Sequence, residues 1–172
     1  FVVVGYAAGH LVQGLGNLIE PVFWRIHKGM PTDWVRSSTR SLISENQVRK
    51  IEKQIQILFG YDSDKVISDL SSKEWLAITR QIYATVQGAG RAQRVDVFNG
   101  NYGLLRGLAT GILIGLAALP ASPIRSWPLT VFLLGAFALA AFRMYRFGRH
   151  YARELFIQFL SLPPSATVGG KS

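Results

Sequence analysis

Residues 102–147 read YGLLRGLATGILIGLAALPASPIRSWPLTVFLLGAFALAAFRMYRF. One apolar run covers 102–119. A second runs from about 128 to 142 and reaches toward 147. The link between them, PASPIRSWP, is short, proline-rich and carries a single charge, Arg125. About 20 apolar residues in a helix cross the ~30 Å hydrocarbon core of a bilayer. Two such runs joined by a tight turn read as a membrane hairpin. A soluble helical hairpin of this length would show a polar face every turn, and these runs do not. The expected fold class is therefore all-α: a polytopic membrane helical bundle with a small cytoplasmic helical insert.

Working outward, residues 1–24 form another candidate span. The segment opens FVVVGYAAG and carries no formal charge before Glu20. Its second half, HLVQGLGNLIEP, is unusually polar for contact with lipid. Pro21, then Trp24, Arg25 and Lys28, mark an interfacial exit. The segment has no basic n-region and no small-residue cleavage site, so it does not read as a signal peptide. The chain opens on Phe1 and not Met, which predicts sequence upstream of it.

Composition agrees. Hydrophobic residues make up 49% and charged residues 17%, against about 25% charged in an ordinary soluble domain. The mean hydropathy is +0.21. There are no cysteines, which excludes disulfides and cysteine-based metal sites or nucleophiles. The formal net charge of +9 points to anionic neighbours, whether lipid headgroups, nucleic acid or a nucleotide. It is also what a positive-inside bias produces.

Residues 25–101 read as a soluble cytoplasmic helical domain with 12 Lys/Arg and 8 Asp/Glu. Ser44-x-x-Gln47 is a capping box that opens a helix to Phe59. Val48, Ile51, Ile55 and Leu58 draw one apolar stripe along it, and Gly60 stops it. Ser71-x-x-Glu74 opens a second helix to about Gln87, with Trp75, Ile78 and Ile82 on one side and Leu76, Tyr83 and Val86 widening it. Gly88-Ala89-Gly90 weakens that helix, and Asn99-Gly100-Asn101 reads as a turn. After the hairpin (102–147), residues 148–172 read as a basic juxtamembrane helix to Leu160, ended by Pro163-Pro164 and followed by an unstructured tail, SATVGGKS.

The insert carries 12 basic residues, the stretch after Phe142 carries 5 and the hairpin link carries 1. The positive-inside rule then predicts a multi-pass protein of the cell inner membrane, with insert and C-terminus cytoplasmic. Phe1 falls on the outer side. One more helix upstream would make four spans.

Four constellations are candidates for function. Tyr6, His10, Gln13, Asn17 and Glu20 recur with a 3.5-residue period, placing all five on one helix face. Polar groups in hydrocarbon face water or a bundle interior. The stripe is therefore a pore-lining candidate or a set of inter-helix hydrogen bonds. His10 is placed to gate such a path by titrating, or simply to pack. Gly103, Gly107, Gly111 and Gly115 recur every fourth residue, the register that lets helices approach closely, and Gly5-xxx-Gly9 is a single copy. Arg143, Arg146, Arg149 or His150, and Arg153 share one face, with Tyr145, Ala152, Phe156 and Phe159 on the other. Together with Arg91 and Arg94 they form a candidate site for an anionic ligand or for lipid headgroups. The insert adds Arg36, Arg40, Arg49, Lys50 and Lys53. In a symmetric oligomer these would form a positive ring, or they are simply a solvated surface.

Enzyme signatures are missing: no GxSxG, P-loop, HExxH or GxGxxG occurs. The histidines are His10, His27 and His150. His10 and Glu20 lie almost three turns apart, too far to share a metal unaided. Asp62, Asp64 and Asp69 are spaced as a loop or helix start, not as an EF-hand. No catalytic residue, metal or cofactor is assigned.

This plan (a few short spans, a small basic helical insert and no catalytic signature) resembles the small membrane effectors of bacterial anti-phage defence systems, including the Hailong type and other nucleotide-signal-gated types. The resemblance covers the layout and transfers no residue. It implies a homo-oligomer in the inner membrane that conducts ions or disrupts the membrane when a cytoplasmic nucleic-acid or nucleotide signal changes. Two other readings stand beside it. One is a non-conducting anchor or assembly subunit of a larger complex. The other is a membrane-embedded lipid-modifying enzyme centred on His10, Asn17 and Glu20.

Overall fold

The computed structural model describes residues 1–37, 41–61, 66–124 and 126–163. Arg40, Asp62, Asp64, Arg125, Pro164 and the tail from Ser165 lie outside them. Every regular element is helical: α1 (Val2–Ile26), α2 (Pro31–Ser37), α3 (Glu45–Phe59), α4 (Ser72–Gly88), α5 (Gln93–Ala118) and α6 (Trp127–Leu160), with 3₁₀ turns at Ile67–Asp69 and Leu119–Ala121. Among the described residues there is no strand. Three segments are long and apolar enough to cross a membrane: Val2–Ser37, which contains α1, then Gln93–Ala121 and Trp127–Leu160.

The chain divides into two compact units. The first is Phe1–Lys28 with Phe98–Gly148. The second is Gly29–Val97 with the chain from Arg149 onward.

The first unit consists of α1, α5 from Phe98 and α6 to Gly148. It carries its apolar side chains outward. Leu11, Leu18, Val22, Leu104, Phe132, Leu139 and Phe142 are all more than half exposed. Apolar surface on this scale is uncommon on a soluble monomer. α1 ends after Ile26, where Lys28 (φ 64°) and Gly29 (φ 97°) turn the chain through left-handed geometry.

The second unit has its own buried apolar core. Both capping boxes form: Ser44 with Gln47 and Ser71 with Glu74. Gly60 closes α3 in the left-handed conformation, at φ 63°. Ile51 and Ile55 are buried, with Val48 and Leu58 packed against the core. Trp75, Ile78, Ile82 and Val86 are buried on α4, while Leu76 points outward. The last turns of α6 are part of this core: Leu155, Phe156 and Phe159 are fully buried. Phe156 stacks on Trp75 at 5.9 Å. Gln54 donates from Nε2 to the Phe159 and Leu162 carbonyls, which caps the end of α6.

One expected turn is absent. Asn99-Gly100-Asn101 lies inside α5, which starts nine residues earlier than the apolar run at Tyr102. Its neighbours explain why. Val95 and Tyr102 are buried and Phe98 packs against Phe147. Tertiary packing on both sides outweighs the weak helix preference of three turn-forming residues.

Candidate functional site

Glu20 carries the only charge before Arg25, and Arg106 the only charge between Asp96 and Arg125. The first unit brings them together. Arg106 donates from Nη1 to one carboxylate oxygen of Glu20, and the Tyr102 hydroxyl donates to the other. Trp24 donates from Nε1 to the Tyr102 oxygen at 2.8 Å. Both side chains of the ion pair are mostly covered, at 21% and 16% exposure. A charge removed from water without a partner is costly, and each of these mostly covered side chains meets its opposite here.

Local sequence makes room for this. A Cβ on Gly16 would lie 3.1 Å from Thr110 Oγ1 and 3.3 Å from Arg106 Cγ. Thr110 in turn donates to the Arg106 carbonyl at 2.9 Å. Gly148 serves the indole end, where a Cβ would fall 2.8 Å from Trp24 Cζ2. A cleft of about 50 Å³ borders the pair and is walled by Ile19, Phe23, Leu113, Phe137 and Met144. It is far below the ~300 Å³ of an ordinary small-molecule pocket.

The rest of the polar stripe is arranged differently. Tyr6, His10, Gln13 and Asn17 are all exposed on the isolated chain. Tyr6 and His10 meet edge to face at 4.5 Å. Gln13 sits nearest α5, its Cγ 3.6 Å from where a Cβ on Gly107 would be. Pro21 lies within α1 and has no N–H to give to the Asn17 carbonyl. Glu20 and Gln13 thus touch α5, while Asn17, His10 and Tyr6 on the same face of α1 are exposed.

The glycine ladder contacts little within the chain. Cβ atoms on Gly107 and Gly111 would meet Gln13 and Val12 at ordinary van der Waals distance. Those on Gly103 and Gly115 would meet nothing within 4 Å, nor would those on Gly5 and Gly9. The tight glycines are Gly16 and Gly148, which no repeat marks.

The basic residues separate by unit. In the second unit Arg94 Nε lies 3.5 Å from Glu154. Arg91 donates from Nη1 to Ser161 Oγ at 2.7 Å. Arg36 donates to the Leu70 carbonyl and Ser72 Oγ. Arg49, Lys50, Lys53, Arg149 and Arg153 are exposed. In the first unit Arg143 and Arg146 are exposed, and the Arg143 guanidinium lies 5.7 Å from the Phe147 ring.

Among the described residues no group of three His, Asp or Glu is placed to hold a metal. His27 Nδ1 bonds the Phe23 carbonyl at 2.8 Å. Reading by stripe and ladder missed Arg106 and Tyr102 as partners of Glu20, and Trp24 as the donor to Tyr102. The signal was present: one acid and one base, each alone in an apolar stretch, imply each other.

Compared with known protein families, curated proteins and solved structures, the chain finds no match.

Proposed function

We propose that the chain is a subunit of an oligomeric pore or membrane-disrupting effector of the cell inner membrane. In this reading α1, α5 and α6 cross the bilayer, and the insert and C-terminus are cytoplasmic. One observation carries it: on a helix long and apolar enough to span, a polar seam leaves the Glu20–Arg106 ion pair and continues into exposed Tyr6, His10, Gln13 and Asn17. Exposed to acyl chains, these groups would be costly. Copies of the chain packed through α1 and the open glycines of α5 would turn the seam away from lipid, toward water or toward one another. Exposed basic residues on the second unit are where a cytoplasmic nucleic-acid, nucleotide or protein signal would act. Such a signal gates only if it binds the two states with different affinity.

The test is reconstitution. Purified protein in liposomes should run as an oligomer and pass ions or a small dye, with flux changing when an anionic ligand is added. A protein that stays monomeric and silent under every ligand condition would discard the reading. Stoichiometric co-purification of another protein, without flux, would favour the anchor-subunit reading.

A further inference from the structure

Within the first unit Glu20 is the only acid, and both its oxygens are occupied by Tyr102 and Arg106. The other described Lys and Arg residues of the unit are Arg25, Lys28, Arg143 and Arg146, and all four are exposed. They lie at one level. His27 and Trp24, which alternate in sequence with Arg25 and Lys28, pack on Tyr145 at 4.9 and 6.0 Å between ring centroids. Tyr145 sits between Arg143 and Arg146. The four cations therefore bracket a single aromatic layer of Trp24, His27, Tyr102 and Tyr145. Close by, Val22, Leu139 and Phe142 present exposed apolar surface.

We infer that this collar is a binding surface for anionic phospholipid headgroups. The inference rests on the membrane reading but is independent of ion conduction. Tyr rings that are partly open, as Tyr145 is, settle at headgroup depth. Arginine and lysine stems lie along apolar surface while their heads reach into the polar layer, where guanidinium groups meet phosphate in bidentate fashion. Each basic residue close to an anionic leaflet strengthens binding on the order of fivefold. Arg25 and Lys28 alone have a simpler account, since they complement the C-terminal end of α1. Arg143 and Arg146 do not, because they lie within α6, more than three turns before its end. A nucleic acid or nucleotide fits the layer less well. Base stacking needs open ring faces, but Trp24 and Tyr102 are 2% and 8% exposed.

The test uses the full chain in neutral detergent, with phosphatidylglycerol or phosphatidylcholine added and bound lipids counted by native mass spectrometry. The wild type should prefer phosphatidylglycerol by about tenfold or more. Arg25→Gln/Lys28→Gln/Arg143→Gln/Arg146→Gln should bring the ratio near unity. Arg49→Gln/Lys50→Gln/Lys53→Gln/Arg80→Gln, which removes as many exposed charges from the second unit, should leave it intact. If the first variant aggregates, Arg143→Gln/Arg146→Gln alone should lower the preference at least about threefold. The inference is overturned if the collar variants keep the preference or the second-unit variant loses it. It is also overturned if inorganic phosphate or a short oligonucleotide displaces the lipid completely. A chain that is soluble without detergent and binds neither lipid would instead sink the membrane reading.

Discussion

The Arg106 guanidinium on α5 donates to the Glu20 carboxylate on α1, joining residues 86 apart in sequence. Each is the lone charge of its apolar stretch. Removing one partner strands the other in a low-dielectric setting. Glu20→Gln or Arg106→Met should each destabilise the protein by about 3 kcal/mol. The swap Glu20→Arg/Arg106→Glu should recover part of that. Unfolding in detergent, followed by circular dichroism, measures it. Single variants within about 0.5 kcal/mol of wild type would mean that the pair is solvated.

Glycines separate packing within the chain from packing between chains. Gly148→Ala would drive a methyl to 2.8 Å from a Trp24 ring that is buried and held by Tyr102. The expected loss is about 1–3 kcal/mol. Gly103→Ala and Gly115→Ala meet open space and should hold or raise the stability of the isolated chain, by up to about 1 kcal/mol each. If the ladder joins copies, these two variants should run as smaller species on a sizing column while their unfolding midpoint holds.

A chain without cysteine permits clean single-cysteine labelling. Tyr6→Cys, His10→Cys and Asn17→Cys in liposomes should react with a charged, water-soluble thiol reagent. Leu11→Cys and Leu18→Cys, on apolar exposed positions of α1, should react only with a lipid-soluble one. Equal protection of all five from the charged reagent would show the seam closed by helix packing, with no water along it.

Tyr83 donates its hydroxyl to Asp96 at 2.7 Å, and that hydrogen bond holds the Tyr83 pKa above its ordinary value of 10. A group whose folded pKa is raised contributes below its unfolded pKa and stops contributing as pH climbs through the folded one. Wild type should therefore lose stability relative to Tyr83→Phe only above pH 10. Parallel pH curves for the two proteins would contradict this.

The sequence alone determined most of the helices, but not α2 or the start of α5. Apolar run length announced the three long helices, and the Ser44/Gln47 and Ser71/Glu74 boxes placed two helix starts, because caps and hydrophobic period act over only a few residues. The tertiary structure decided the partners. It carried α5 back through Asn99-Gly100-Asn101, because Val95 and Tyr102 are buried on either side. It made Leu155, Phe156 and Phe159 core residues of the second unit. It also divided one even stripe into Glu20, paired with Arg106, and Tyr6, His10, Gln13 and Asn17, left exposed. Periodicity names a face of a helix. What that face meets depends on packing between segments far apart in the chain.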